Sequence, residues 1–295
     1  MEKRSIDKLI EEQYPTLPPM LQRAARYAID NPKEMALNSM RTVAASAGLQ
    51  ASAMHRLARQ LGFDGYESFR AVYRSWLAQG SGSFAERATA LQRRNRNDET
   101  ESLVRDLLQA DSRNLEQMIE PATLQSIKTA RDVLAKARHI YVAGLRSLFP
   151  AAFYFNYACG MFLHNTTLLT GIGGIFADGL RHAGPDDALL VFSYDPYSRD
   201  ALSAVKFARK QGVHIVSVTD SVLSPIASPA EALIIVANTT PSLFPSVVPA
   251  LSIAQTLVAL LIASGGETSL QEIEKSEAQL RQFAVYVKDH GTARR

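Results

Sequence analysis

The second half of the sequence alternates short, mostly apolar runs with longer helical patterns, and this alternation restricts the fold more than any other feature. The runs have the length of β-strands and are typical of strands buried on both faces. They cover residues 140–143, 166–169, 188–192, 215–218 and 233–236. Such strands separated by helices predict a parallel sheet covered by helices on both sides, with ligands at the carboxyl ends of the strands. We therefore expect an α/β domain with a five-stranded parallel sheet flanked by helices.

The sequence before residue 138 has only helical patterns. From Ile6 to about Leu77, apolar residues recur at spacings of three and four, which is typical of amphipathic helices. One of these helices covers residues 17–29. The first domain is therefore expected to be all α, and two further helices are predicted at residues 102–119 and 123–137.

The two patterns are separated by a predicted linker. Residues 80–100 begin Gly-Ser-Gly-Ser and are rich in arginine, with little apolar periodicity, which is typical of a connecting segment. A chain of 295 residues is long enough for two compact domains. We expect a helical domain over residues 1–80, a linker with a connecting helix over 81–122, and the α/β domain over 123–295.

The composition indicates the cellular compartment. The single cysteine, Cys159, excludes an intramolecular disulfide and fits a reducing cytoplasm. Residues 1–10 carry alternating charges and are not expected to form a signal peptide. The most apolar segment, residues 247–263, is interrupted by polar residues and is too short to span a bilayer. We expect a cytoplasmic protein with no membrane contact, and the net charge of +3 is too small to indicate nucleic-acid binding by itself.

Residues 40–63 have the layout of a helix-turn-helix. Ala44 lies where two helices approach, Gly48 occupies the turn, and a second helix follows over residues 51–61. Arginine binds phosphates and guanine, while serine and histidine offer shorter donors to base edges. A plain helical hairpin with a solvated charged face has the same spacing, so the pattern alone leaves both interpretations open. The polar residues predicted on the outward face of the second helix are Ser52, His55, Arg56 and Arg59.

The same segment resembles the signature of the RpiR (MurR/RpiR) family of bacterial regulators, whose usual run is GVSxxTVxRFxxxLGFxGYxxF. Gln50 stands where the family usually has a helix-capping Ser, and Ala53 where it has Thr. The matching positions are Gly48-Leu49, Arg56-Leu57, Leu61-Gly62-Phe63, Gly65-Tyr66 and Phe69.

The RpiR resemblance implies a transcription regulator whose second helix contacts double-stranded operator DNA. The aromatic residues Phe63, Tyr66 and Phe69 have the spacing of helix–helix contacts, so we expect them to pack in the core and not to stack on bases. The residues assigned to DNA contact are Gln50, Ser52, His55, Arg56 and Arg59.

The loop after the first predicted strand carries groups that suit an anion. Residues 140–143 run into Gly144, Arg146 and Ser147 and then into a helix. Backbone amides at a helix start, a hydroxyl and a guanidinium group all bind anions. A strand-glycine-helix turn is also a common structural joint, and that alternative stays open.

The loop after the strand at residues 188–192 is the second candidate. It contains Ser193, Asp195 and Ser198 before the next helix, and its hydroxyls suit an oxyanion. The structural alternative is a turn at Asp195-Pro196 with Ser198 as a helix cap. The sequence gives both interpretations similar weight.

Residues 123–265 resemble a SIS (sugar isomerase) domain, which RpiR-type regulators carry after their helix-turn-helix. The phosphate loop of that family usually reads SxSGxT. Ser193 and Ser198 take its first and last hydroxyl positions, but Asp195 and Pro196 replace its second Ser and its Gly. The resemblance implies a sugar phosphate or a related carbohydrate derivative as the effector. Because a carboxylate repels phosphate, a polyol, a sugar acid or an amine-bearing metabolite is the alternative. The residues assigned to effector binding are Gly144, Arg146, Ser147, Ser193, Asp195 and Ser198.

These features together predict a homodimeric or homotetrameric DNA-binding regulator that responds to a small molecule and needs no cofactor or metal. The acid–base candidates for catalysis are Asp178, His182 and Asp195, and none lies in a recognisable motif, so no catalytic residue is expected. Two alternatives remain from other classes. One is a phosphosugar isomerase with an accessory helical domain, and the other is a regulator that binds a protein instead of DNA.

Overall fold

The computed structural model describes residues 3–78 and 83–287. The chain divides into two compact units, Met1–Leu107 with Pro241–Phe244, and Leu108–Thr240 with Pro245–Arg295. Helices are the only regular elements among the described residues of the first unit, as the sequence predicts. Its helices are α1 (Lys3–Gln13), α2 (Pro19–Asp30), α3 (Pro32–Leu37), α4 (Met40–Ser46), α5 (Ala51–Gln60), α6 (Tyr66–Ala78) and α7 (Phe84–Arg96), and α8 (Thr100–Glu116) continues into the second unit.

The core of the first unit is formed by the apolar stripes of these amphipathic helices. Helices α2 and α3 each begin with a proline, whose missing N–H is not needed in the first turn. The apolar side chains that recur every three or four residues are removed from water, and this burial is the main stabilising term. The fully buried side chains include Ala24, Val43, Met54, Leu57, Phe69 and Tyr73.

Helix α7 corrects one prediction. The sequence indicated a linker over residues 80–100, but Phe84–Arg96 is an α-helix. Ser83 caps it, and Glu86 completes a capping box by accepting a hydrogen bond from the Ser83 amide. This cap signal outweighs the weak apolar periodicity. Residues 80–82 of the predicted linker lie outside the described residues.

The second unit contains the predicted parallel sheet. Its strands are hydrogen-bonded in the order β2-β1-β3-β4-β5, and every pair is parallel. Each strand differs from its predicted bounds by at most one residue at either end. The strands are β1 (Ile140–Gly144), β2 (Thr166–Leu168), β3 (Ala188–Phe192), β4 (His214–Thr219) and β5 (Ala232–Ile235).

Helices cover both faces of this sheet, as expected for continuous apolar strands. Along β1, Ile140 and Val142 face one apolar cluster while Tyr141 and Ala143 face the other. The first cluster is closed by α9 (Pro121–Lys136), α10 (Phe149–Cys159) and α12 (Val248–Ser264), and the second by α11 (Arg199–Lys210).

Helix α12 is the most apolar segment and is largely buried against the sheet. Among residues 3–78 and 83–287, no single helix is long and apolar enough to cross a membrane. By length and composition alone, α12 and α13 (Gly266–Gln282) together meet the criteria for a membrane span, as a pair bent by 115°. The burial of α12 agrees with the core helix predicted at residues 247–263.

Candidate functional sites

The turn between α4 and α5 is held by backbone conformation and by an arginine. Ser39 caps α4 by accepting a hydrogen bond from the amide of Thr42. Gly48 has a φ of +65°, which favours glycine. The Arg23 guanidinium donates to the carbonyl oxygens of Ala47 and Gly48 at 3.4 and 3.3 Å. Arg23 thus binds carbonyls at the end of α4, a role that the sequence did not reveal because the two segments are far apart in the chain.

Helix α5 has one buried and one exposed face. Ala53, Met54, Leu57 and Ala58 are buried, and they fix the rotation of the helix. All the polar residues assigned to DNA contact lie on the exposed side. These are Ser52, His55, Arg56 and Arg59, and Gln50 just before the helix is exposed as well.

The two arginines of α5 share a shallow cavity with the start of α2. Arg56 and Arg59 line it together with Pro18, Leu21 and Gln60, and its volume is about 330 Å³. Two guanidinium groups on one side of an open cavity attract an anion such as a phosphate.

Gln50 occupies the N-cap position of α5, but its side chain makes no capping hydrogen bond. This agrees with the expectation that glutamine caps poorly. The first amides of α5 therefore receive no side-chain cap from this residue. Gly62 has a φ of +85° just beyond the helix, as predicted for its C-terminal end.

The aromatic residues after α5 pack in the core. Phe69 is fully buried and Tyr66 nearly so. The Phe69 ring lies 5.3 Å from that of Phe63 and 5.2 Å from that of Tyr73 between ring centroids, distances typical of packed aromatic pairs. Burial raises the pKa of Tyr66 to about 12. The expectation of core packing for these rings agrees with their positions.

In the second unit, the order of the strands brings the two candidate loops together. Strands β1 and β3 are neighbours, with β2 on one side and β4 and β5 on the other. In open sheets of this order, ligands bind in the crevice beyond the carboxyl ends of these two neighbouring strands. The loops that begin at Gly144 and Ser193 leave β1 and β3 at this crevice.

The first loop packs tightly at Gly144 and then becomes exposed. A Cβ atom on Gly144 would lie 2.7 Å from both the Cβ of Ala152 and the carbonyl oxygen of Leu148. Arg146 is exposed and has a φ of +56°, the left-handed region that a residue with a side chain rarely adopts. Within the part of the chain that the structure describes, neither Arg146 nor Ser147 has a side-chain hydrogen bond.

The second loop contains one buried and one half-buried serine. The carbonyl of Ser193 accepts a hydrogen bond from the Thr219 hydroxyl at 2.8 Å. Ser198 stands at the N-cap of α11, but its side chain makes no capping hydrogen bond, which argues against the structural alternative of a helix cap. The Ser198 hydroxyl is therefore not used by the helix. Asp195 is exposed, and the Asp195–Pro196 peptide bond is cis.

Asp220 is a site residue that the sequence did not single out. It follows β4 directly and accepts a hydrogen bond from the Asp195 amide at 3.1 Å and one from the Tyr197 hydroxyl at 3.0 Å. Burial, together with the nearby Asp220 carboxylate, raises the pKa of Tyr197 well above its usual range. The position of Asp220 at the carboxyl end of a parallel strand was the sequence signal that could have identified it.

Two of the acid–base candidates lie on the surface. The exposed carboxylate of Asp178 is bound by the Arg181 guanidinium, and His182 lies exposed on the surface. Among the described residues, no group of three or more His, Cys, Asp or Glu side chains can hold a metal ion.

A protein-family model matches residues 133–263, and its description is SIS domain. This chain contains a SIS domain. The match covers the whole sheet and both candidate loops. No curated protein matches the sequence as a whole.

Three solved structures place this SIS domain among known folds. The sugar isomerase domain of an RpiR transcription factor from Sphaerobacter thermophilus is 25% identical, covers 62% of this chain and 99% of its own, and has a TM-score of 0.51. The NanR protein of Vibrio vulnificus, complexed with ManNAc-6P, is 17% identical, covers 94% of this chain and 97% of its own, and has a TM-score of 0.55. A candidate phosphosugar isomerase involved in capsule formation, from Bacteroides fragilis, is 18% identical over 60% of this chain and 96% of its own, with a TM-score of 0.50.

These comparisons confirm the architecture that the RpiR resemblance implies. The helical region precedes a SIS domain whose five strands are all parallel. The NanR likeness extends over both the helical region and the SIS domain.

Proposed function

We propose that this chain is a DNA-binding transcription regulator whose SIS domain binds a carbohydrate derivative. The observation that carries the proposal is the division of α5 into a buried apolar face and an exposed polar face beside the glycine turn at Gly48. A helix held in this way presents its outer side chains to the major groove of DNA.

Each polar residue of α5 has a role in this proposal. Arg56 and Arg59 neutralise phosphates or form paired hydrogen bonds to guanine, because the guanidinium group offers a fork of donors. Ser52 and His55 reach base edges or phosphates through shorter side chains. Gln50, at the start of the helix, is placed to meet the DNA backbone.

The effector is proposed to lie in the crevice of the SIS domain. The backbone close to Gly144 and the hydroxyls of Ser147, Ser193 and Ser198 line the carboxyl ends of β1 and β3, with Arg146 and Asp195 as the charged groups. A polyhydroxylated ligand matches this set because each hydroxyl both donates and accepts.

The regulator is proposed to act as a homo-oligomer. Two recognition helices must reach half-sites about 34 Å apart, so a second copy supplies the second helix. An effector switches DNA binding only if it binds one arrangement of the copies more tightly than the other.

A phosphosugar isomerase is the second candidate, supported by the SIS fold. We infer that catalysis is absent because the Asp178 carboxylate is bound by Arg181 and none of the acid–base candidates lies in a recognisable motif. Turnover of a ketose or aldose phosphate by the full-length chain, unchanged in an Arg56→Ala variant, would support the enzyme instead.

A mobility-shift assay tests the proposal. Full-length protein is titrated at low salt against the DNA upstream of its own gene, and Arg56→Ala and Arg59→Ala are compared with Arg209→Ala, an exposed arginine of α11. We expect binding by the wild type and by Arg209→Ala, with at least about 10-fold weaker binding by the two α5 variants. Equal binding by all four proteins contradicts the proposal.

A further inference from the structure

The loop after β3 offers fewer amide donors than a phosphate group needs. The amide of Asp195 is already bonded to Oδ2 of Asp220 at 3.1 Å, and Pro196 has no N–H. Two consecutive positions at the carboxyl end of β3 therefore give a ligand no backbone donor. A phosphate monoester carries about −1.5 to −2 charges at pH 7 and depends on several such donors.

The same loop places negative charge beside the crevice. Asp195 is exposed at the end of β3, and Asp220 is partly exposed at the end of the neighbouring strand β4. Two carboxylates on adjacent strands repel a dianion but accept hydrogen bonds from hydroxyl groups. This side of the crevice favours the hydroxyl-bearing part of a ligand.

The opposite side carries a cation in a strained conformation. Arg146 follows β1, is exposed and has a φ of +56°, and residues with side chains in this region gather at functional sites. Its guanidinium has no hydrogen-bond or ion-pair partner among the described residues. A carboxylate matches a free guanidinium group through two parallel hydrogen bonds.

Between the two charged sides lies a serine hydroxyl. Ser193 is 3% exposed, and within residues 3–78 and 83–287 its hydroxyl makes no hydrogen bond. The hydroxyl oxygen itself stays accessible, so it can donate to or accept from a ligand hydroxyl. A ligand hydroxyl at the carboxyl end of β3 satisfies it.

We infer that the effector is a sugar acid, a ligand with one carboxylate and several hydroxyl groups and no phosphate monoester. The inference rests on the proposed effector site. The carboxylate binds Arg146, and the hydroxyl groups bind Ser193 and Asp195. One guanidinium group is enough to bind a single negative charge. A phosphate would be repelled by the two carboxylates and would find no free amide donor at residues 195 and 196.

Thermal unfolding of the full-length protein tests the inference with named probes. D-gluconate and D-galacturonate are compared with glucose 6-phosphate and sorbitol, each at about 10 mM. We expect at least one acid to raise Tm by about 2 °C or more, while the phosphate and sorbitol have smaller effects. An equal or larger shift with glucose 6-phosphate, or no shift with either acid, overturns the inference.

Two variants place the binding in the crevice. Arg146→Gly relieves the left-handed backbone and removes the guanidinium group, so we expect a stable protein with at least about 10-fold weaker acid binding. Asp195→Ser combined with Pro196→Gly restores an N–H and removes a charge, so we expect it to gain binding of glucose 6-phosphate. Unchanged acid affinity in Arg146→Gly overturns the inference.

Failure of the inference and failure of the proposed function give different results. If the protein binds DNA but no acid raises its Tm, the sugar-acid inference is wrong and the DNA-binding proposal stands. If an acid binds through Arg146 and no DNA is bound at low salt, the inference stands and the regulator proposal is wrong.

Discussion

Arg59, on the exposed face of α5, donates a hydrogen bond from Nη1 to the carbonyl oxygen of Asp64 at 3.1 Å. The bond ties the last turn of α5 to the segment that leads into α6. Arg56, one turn earlier, makes no side-chain hydrogen bond among the described residues. The two arginines that we assign to DNA therefore differ in how firmly the protein holds them.

This difference predicts different effects on stability. Arg59→Ala loses a hydrogen bond and is expected to lower the free energy of unfolding by up to about 1 kcal/mol. Arg56→Ala is expected to stay within about 0.5 kcal/mol of the wild type. Urea denaturation of both variants measures the difference, and a larger loss in Arg56→Ala would show that Arg56 has a structural partner.

Gly144 is predicted to be essential for the start of α10. In Gly144→Ala the new methyl group meets Ala152 and Leu148 at 2.7 Å, so we expect a loss of about 1–3 kcal/mol from overpacking. Gly184→Ala is the matched control, because its Cβ would have no atom within 4 Å. Thermal melts of the two variants make the comparison, and equal Tm values would mean that the Gly144 backbone moves without cost.

The ion pair between Arg138 and Asp187 predicts a loss of stability at low pH. Arg138 donates to both oxygens of the fully buried Asp187 side chain, at 2.9 and 2.7 Å. The Arg138 guanidinium lowers the pKa of Asp187 below its ordinary value of 3.8. The stabilisation is therefore complete above pH 3.8 and is lost as the pH falls through the lowered pKa of the folded protein.

Asp187→Asn tests this prediction. We expect the variant to be less stable than the wild type at pH 7. The difference should shrink below pH 3.8, where the unfolded wild-type chain takes up a proton on Asp187 more readily than the folded protein does. Denaturation curves between pH 7 and pH 3 provide the measurement. A difference that grows as the pH falls would contradict the assignment.

A row of aromatic side chains on α10 predicts self-association. Phe149, Phe153 and Tyr157 follow one another at intervals of four residues, with Phe153 and Tyr157 stacked at 6.2 Å. The side chains of Phe153 and Tyr157 are 51% and 57% exposed, and neighbouring exposed apolar groups mark contact surfaces. We expect Phe153→Ser to weaken oligomerisation in sedimentation velocity experiments, whereas Phe207→Ser, on α11, has no effect. Equal sedimentation of both variants and the wild type argues against this surface.

The strands and most helices were predictable because each depends on a local pattern. Apolar runs of strand length and three-to-four spacing identify an element without knowledge of its neighbours. Helix α7 was missed because its apolar periodicity is weak, and none of its residues is buried. Its signal was the cap formed by Ser83 and Glu86, and Arg94 is further bound to Glu99 and Asp106 at 3.3 and 2.8 Å.

The candidate sites were predictable only in part. The outward side of α5 was predictable from the spacing of its apolar residues, and the crevice was predictable from the alternation of strands and helices. The hydrogen bond from the Asp195 amide to Asp220 joins the loops that follow β3 and β4, and the φ of Arg146 depends on how its loop packs. Neither relationship is contained in a local sequence pattern.

Directed cleavage of DNA from α5 shows whether this helix lies against the duplex. Cys159 is the single cysteine of the chain, and its burial raises its pKa to about 12, so it is expected to resist labelling. Ser52→Cys introduces an exposed thiol on α5 that can carry an iron chelate, and Ser112→Cys on α8 is the control. We expect strand cleavage from position 52 in two clusters about 34 Å apart, one in each half-site, and none above background from position 112. Equal cleavage from the two positions, or no cleavage from position 52 on bound DNA, would contradict this expectation.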